Sequence, residues 1–202
     1  MNNKKKQILI LILQLAFSFA LFSQKGKHGA AVITGTGAIY NRYSPLAQSA
    51  LAGSSFVVVG NITDLEAPAI PGLLHDCYGP NSLESCDLLM IIKMQGSSIN
   101  TSNSSSYGTV TSYNGVGEYE FFEVGAINNN TITLAGGCKL NKNYFIFGTQ
   151  RVQVVRVPRF TTLTINNAAS LTSRPWAQVA GTGGVVAIET NGAVIINGTV
   201  TT

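Results

Sequence analysis

Nine acidic residues are all that this 202-residue sequence offers for acid–base work, and three of them cluster as Glu118, Glu120 and Glu123. In an extended strand Glu118 and Glu120 point to the same face. Two carboxylates at a defined separation are what glycoside hydrolysis requires, so this pair is the candidate for a glycan-active enzyme. The plainer reading is a solvated strand face, because no neighbour marks a raised pKa. His75 and Asp76, with many serines available, supply the residue types of a hydrolase triad, but no G-x-S-x-G elbow accompanies them. Gly35-Thr36-Gly37 and Gly181-Thr182-Gly183-Gly184 lack the Gly-Lys-Ser/Thr of a phosphate loop and read as turns.

Metal chemistry is equally poorly supplied. The two histidines are His28 and His75, no C-x-x-C occurs, and no D-x-D-x-D-G calcium loop is present. Neither a metal nor another cofactor is expected. Three cysteines remain, Cys77, Cys86 and Cys138, as disulfide candidates. Cys77 and Cys86 enclose a polar loop that a local clip would close, and pairing of Cys138 with either of them is also open.

The aromatic residues offer binding rather than catalysis. Tyr107 and Tyr113 lie in a Ser-, Thr-, Asn- and Gly-rich stretch, where exposed rings could stack on sugars, and they are the candidate glycan contacts. Tyr119, Phe121 and Trp176 read as core bulk for a glycine-rich fold.

The elements that must carry these residues begin after a leader. Lys4, Lys5 and Lys6 precede an apolar run from Ile8 to Phe22, the pattern of a secretory signal peptide over residues 1–23. Cleavage is expected after Ala20 or Ser23, and no Cys there suggests a lipid anchor. The run is short for a bilayer span, so no membrane span is expected after cleavage. Without those lysines, ten basic residues face nine acidic ones, so the formal charge of +4 does not point to nucleic acid. Export places the cysteines in an oxidising compartment. Sequons at Asn61, Asn100, Asn103, Asn129 and Asn197 suggest exposed loops.

Charged residues are 11% of the chain and apolar ones 45%, which argues against both disorder and long helical bundles. Residues 24–55 read as a flexible small-residue leader. Short strand-like runs follow at 56–59, 87–94, 118–124, 131–134 and 151–157, the last ended by Pro158. In that run Val152, Val154 and Arg156 share one face and Gln153, Val155 and Val157 the other. Asn191-Gly192, between two aliphatic runs, signals a hairpin or a rung corner. The expected fold is all-β, a β-rich domain over 56–175 leading into β-helix-like rungs over 176–202, with a β-sandwich as the alternative.

Four blocks carry a resemblance. Asp87 to Met94 followed by Gln95-Gly96 and Ile99-Asn100 is one; Tyr107-Gly108-Thr109-Val110, Tyr113-Asn114 and Gly117 to Phe121 form the next. Val152 to Phe160 is the third, and Trp176 with Thr182-Gly183-Gly184 to Glu189 is the fourth. In this order they resemble the N-terminal region of large secreted or cell-surface adhesin-like proteins of Bacteroidetes-type bacteria, over roughly residues 85–200. The resemblance implies an extracellular or outer-surface location, entry into a right-handed parallel β-helix, and downstream repeats with a sorting domain for type IX secretion. It implies no catalytic residues. No such sorting domain lies within these 202 residues, so a fragment or a short relative is expected. The reading is a non-enzymatic structural or adhesion module acting as an N-terminal cap. Its partners would be downstream repeats or an extracellular glycan or protein surface. A carbohydrate-binding module is the alternative, and a fragment of a glycan-active enzyme the second alternative.

Overall fold

A computed structural model describes residues 26–66 and 82–202. The signal peptide, His75, Asp76 and Cys77 lie outside the described residues.

The described chain is all-β, with only two short 3-10 turns, Ile62–Leu65 and Ala135–Gly137, beside its strands. It opens in β1 (Ala30–Ile33) and enters an antiparallel body made of β2 (Arg42–Pro45), β3 (Phe56–Val58), β4 (Leu88–Gln95), β5 (Ser98–Ile99), β6 (Val110–Ser112), β7 (Tyr119–Asn128), β8 (Thr131–Leu134) and β9 (Arg151–Val157). It then returns beside β1 as β10 (Arg159–Phe160), β11 (Thr162–Ile165) and β12 (Ser170–Thr172). A last pass supplies β13 (Glu189–Thr190), β14 (Val194–Ile196) and β15 (Thr199–Thr201).

The antiparallel sheet has the order β2-β9-β4-β7-β8-β3, and β5 with β6 forms a separate small hairpin. Its central strands are covered on both faces. Leu89, Ile91, Val152 and Val154 enter one core cluster with Phe122, Val124 and Tyr144, while Leu88, Met90, Val155 and Val157 pack with Tyr43 on the other side. Val185 and Ala187, from the connection before β13, close that second face. The alternation read for 151–157 thus assigns the valines to the right faces. It does not reveal that Gln153 and Arg156 are as buried as they are. Gln153 clamps Gly183, its Nε2 donating to the carbonyl at 3.0 Å and its Oε1 accepting from the N–H at 2.8 Å.

The second body is a parallel stack. β1 pairs with β11, and β11 with β14, in register along Ala31–Leu163–Val194 and Ile33–Ile165–Ile196. Ala38, Leu171 and Val200 form a third column, and β10 with β13 and β12 with β15 complete the ladders. This is a parallel β-solenoid of three rungs: the first from residues before the sheet, the others from residues after it. Asn191-Gly192 is therefore a rung corner, since β13 and β14 pair with the rung below rather than with each other.

Residues expected as leader form β1 and β2, where Ala31 and Tyr43 are buried. For β1 the physical reason is size. Small side chains suit the narrow interior of a rung, and such composition also resembles a loop. Likewise the solenoid does not begin near 176: its first two rungs lie at β1 and at β10–β12.

Candidate functional site

Two features of this architecture could engage a partner: the face of the third rung, and a groove on the antiparallel body. In the solenoid, two inward columns are buried in the first two rungs and bare in the third. Ala31 and Ile33 are 1% and 3% exposed and Leu163 and Ile165 4% and 0%, yet Val194 and Ile196 are 48% and 54%. Val200 is 45% exposed above a buried Leu171. The stack is closed at its first rung and open at its third. The corner geometry that allows stacking is specific: a Cβ at Gly198 would lie 2.2 Å from the Ala169 carbonyl oxygen and 2.6 Å from that of Asn166.

The carboxylates read as a possible catalytic pair each have partners on the antiparallel body. Glu118 lies at the entry to β7 and meets Lys93 Nζ at 2.7 Å and Lys142 Nζ at 3.8 Å. The Lys93 contact, outweighing slight desolvation, lowers its pKa. Glu120 accepts from the Asn141 and Lys142 backbone N–H groups at 2.7 and 2.8 Å and from Asn141 Nδ2 at 2.9 Å. Burial acts to raise its pKa, but these donors outweigh it and the net direction is down. Burial first, then the nearby Glu120 and Glu118 charges, push up the Tyr144 hydroxyl. Both carboxyl pKa values are shifted downward, opposite to the raised pKa of a glycosidase general acid. Glu123 meets Arg159 Nη1 at 2.6 Å.

The aromatic residues divide differently from the expectation. Tyr119 and Phe121 are 53% and 51% exposed and pack edge-on against each other at 5.6 Å, so they are not core. They sit on outward-facing positions of β7, whose inward partners Phe122 and Val124 fill the core. Trp176 is half-buried in its loop, its Nε1 donating to Gln178 Oε1 at 3.0 Å. Tyr107 and Tyr113 are exposed at 69% and 70%, as the polar stretch implies. A groove of about 560 Å³ on the antiparallel body is lined by Lys93, Glu118, Lys142, Asn143, Phe145 and Phe147. Asn114, next in sequence to Tyr113, also lines it.

The most buried charges were not picked out by their types or spacing. Asp87, wholly buried, meets Arg156 Nη2 at 2.8 Å and Lys27 Nζ at 2.7 Å, and accepts from the Glu84 N–H at 3.0 Å. His28 Nε2 is 3.7 Å away, while its Nδ1 accepts from the Arg159 N–H at 2.8 Å. Arg159 in turn pairs with Glu189 of the third rung and Glu123 of the sheet. Burial would raise the Asp87 pKa; His28, Arg156 and Lys27 override it and hold it at about 2. This network ties all three rungs to the sheet. Its partners are far apart in sequence, so no local pattern announces it. The repeat Leu163-Thr164-Ile165-Asn166 against Val194-Ile195-Ile196-Asn197, in register in the stack, is the signal that could have revealed the rungs.

Among the described residues Cys86 and Cys138 form no disulfide with each other; Cys86 is half-buried and Cys138 exposed. Among the described residues no cluster of three His, Cys, Asp or Glu side chains could hold a metal, and no helix is long and apolar enough to cross a membrane.

No protein-family model and no curated protein matches the chain. Solved structures to which it is similar include three phage tailspikes. One is the Gp54 tailspike of Acinetobacter baumannii bacteriophage AP22, in complex with A. baumannii capsular saccharide, at 15% identity and a TM-score of 0.32, covering 72% of this chain and 22% of that one. The Pseudomonas phage phi297 tailspike gp61 gives 9% and 0.29, covering 85% and 23%. The Pseudomonas phage LKA1 tailspike gp49 gives 13% and 0.32, covering 71% and 26%. This chain spans about a quarter of the length of each, and a likeness this slight carries neither fold nor ligand over to it.

Proposed function

We propose that the chain is a non-enzymatic, exported structural module, the β-rich N-terminal cap of a cell-surface or extracellular β-solenoid protein. The observation that carries this reading is the asymmetry of the stack: inward columns buried at the first rung, bare at the third. A further rung over Val194, Ile196 and Val200 would continue the columns and pair the free edges of β14 and β15. Covering half-exposed aliphatic side chains contributes roughly 1 kcal/mol each. An uncovered edge of this kind invites association with other chains. Export, and a type IX route with surface attachment, are proposed from the basic-then-apolar N-terminus and the four-block resemblance.

The bare rung is tested on the purified chain. Wild type is expected to self-associate with rising concentration. Val194→Lys with Ile196→Lys is expected to stay monomeric with an unchanged β-type circular dichroism. A wild-type chain that remains monomeric throughout would count against a rung that needs covering.

A second reading, carbohydrate binding, is favoured by the exposure of Tyr107 and Tyr113 on the body. In this reading the two rings contact an extracellular glycan, and loss of glycan binding in the Tyr107→Ala, Tyr113→Ala double variant is its test.

A further inference from the structure

We infer that the groove lined by Phe145 and Phe147 is a binding site for a neutral, hydroxyl-rich polysaccharide segment. This rests on the carbohydrate-binding reading and gives it a different site and a ligand class. The argument starts with the two phenyl rings. Their centroids are 5.1 Å apart at a 44° tilt, and Phe147 is 61% exposed. Unlike tyrosine, phenylalanine has no hydroxyl to hydrate, so an exposed ring carries the full cost of apolar surface in water. The C–H face of a pyranose is the complement of such a ring, because it is apolar while its edge carries hydroxyls.

Other lining residues supply what those hydroxyls need. Lys93, Lys142 and the Asn143 amide nitrogen are donors, and Glu118 is an acceptor. Asn143 is held in place by its Oδ1, which accepts from the Ala52 N–H at 2.9 Å. Lys93 lies 5.7 Å from the Tyr144 ring centre and is locked to Glu118 at 2.7 Å. Asn143 and Lys93 are therefore held before a ligand arrives, which lowers the ordering cost of binding.

Charge decides between ligand classes. Lys93 and Lys142 face Glu118, and Glu120, outside the lining, accepts from the backbone N–H groups of Asn141 and of the lining residue Lys142. Two positive and two negative charges leave no surplus to select an anionic sugar. A groove of about 560 Å³ also falls within the range of ordinary ligand sites, roughly 300–1,000 Å³.

The test is affinity electrophoresis and a glycan array of the full chain, probed with neutral glucans and mannans and with alginate as the anionic polymer. Binding to at least one neutral polymer is expected, with Phe147→Ala weakening it roughly tenfold, the loss of one stacking contact. Phe147 is exposed, so its replacement leaves the core intact; unchanged circular dichroism checks this. Binding of alginate alone overturns the ligand class. Neutral binding lost in Tyr107→Ala, Tyr113→Ala but unchanged in Phe147→Ala overturns the groove while the carbohydrate-binding reading stands. No binding to any polymer overturns both.

Discussion

At the scale of single residues, Asp87 is the point on which the junction turns. Its carboxyl titrates at about 2 in the folded chain against an ordinary 3.8. A depressed carboxyl contributes stability that is complete above its unfolded pKa and is lost as pH falls through the folded value. The shift corresponds to about 2 kcal/mol. Thermal melts should therefore be flat in this contribution from neutral pH to about 4 and drop steeply toward 2. Asp87→Asn should remove that acid limb and destabilise the chain by roughly 3–5 kcal/mol at neutral pH, since Arg156 and Lys27 lose their buried counter-ion. An unchanged acid limb in the variant would place the titrating group elsewhere. The sequence shows Asp87 only as the acidic start of an aliphatic run. Its partners Lys27 and Arg156 lie in other elements, and pairing over such separations is a product of topology that no local spacing encodes. Glu118 and Glu120 show the converse. Their shared neighbourhood was legible, but their role was not, because the cations and N–H groups that lower their pKa values come from β4 and the 141–142 turn.

At the scale of elements, two glycines set close approaches that any side chain would obstruct. Gly198→Ala puts a methyl within 2.2 Å of the Ala169 carbonyl oxygen, so the third rung must lift from the second. A loss of roughly 1–3 kcal/mol is expected, with faster amide exchange confined to β14 and β15. Exchange that rises equally in the antiparallel sheet would contradict a separable rung. Gly115 has φ of +75°, and a Cβ there would meet Lys93 Nζ at 2.5 Å and Glu118 Oε2 at 2.6 Å. Gly115→Ala should therefore open the Lys93–Glu118 pair and abolish the binding assigned to the groove, with stability falling by roughly 1 kcal/mol or more. Strand positions were legible where an aliphatic run is long, as in β4, because burial on both faces leaves continuous apolar sequence, and in β9 through its alternating valines. β1 was not legible, because its small residues make a rung interior and a loop look alike. Tyr119 and Phe121 were misplaced for a related reason: aromatic content marks a strand, and only the register against β4 and the position of Phe122 decide which face is outside.

At the scale of the whole molecule, the sheet and the solenoid are one construction. The chain lays its first rung, builds the antiparallel body, and returns to stack two more rungs on the first. The charge network joining Lys27, Asp87, Arg156, Arg159, Glu123 and Glu189 fixes all three rungs to the body, while Ala31 and Ile33 of the first rung are buried and Val194 and Ile196 of the third are bare. That polarity is what a cap requires: one end finished, the other a template. The central claim is that further rungs cover Val194, Ile196 and Val200 in the native protein. The most direct measurement is an immunoblot of the source cells, separated into surface and medium, using serum against residues 87–160. The account predicts a surface band far larger than the 21.3 kDa of this chain. A band at or below 21.3 kDa, found only in the medium, would contradict it.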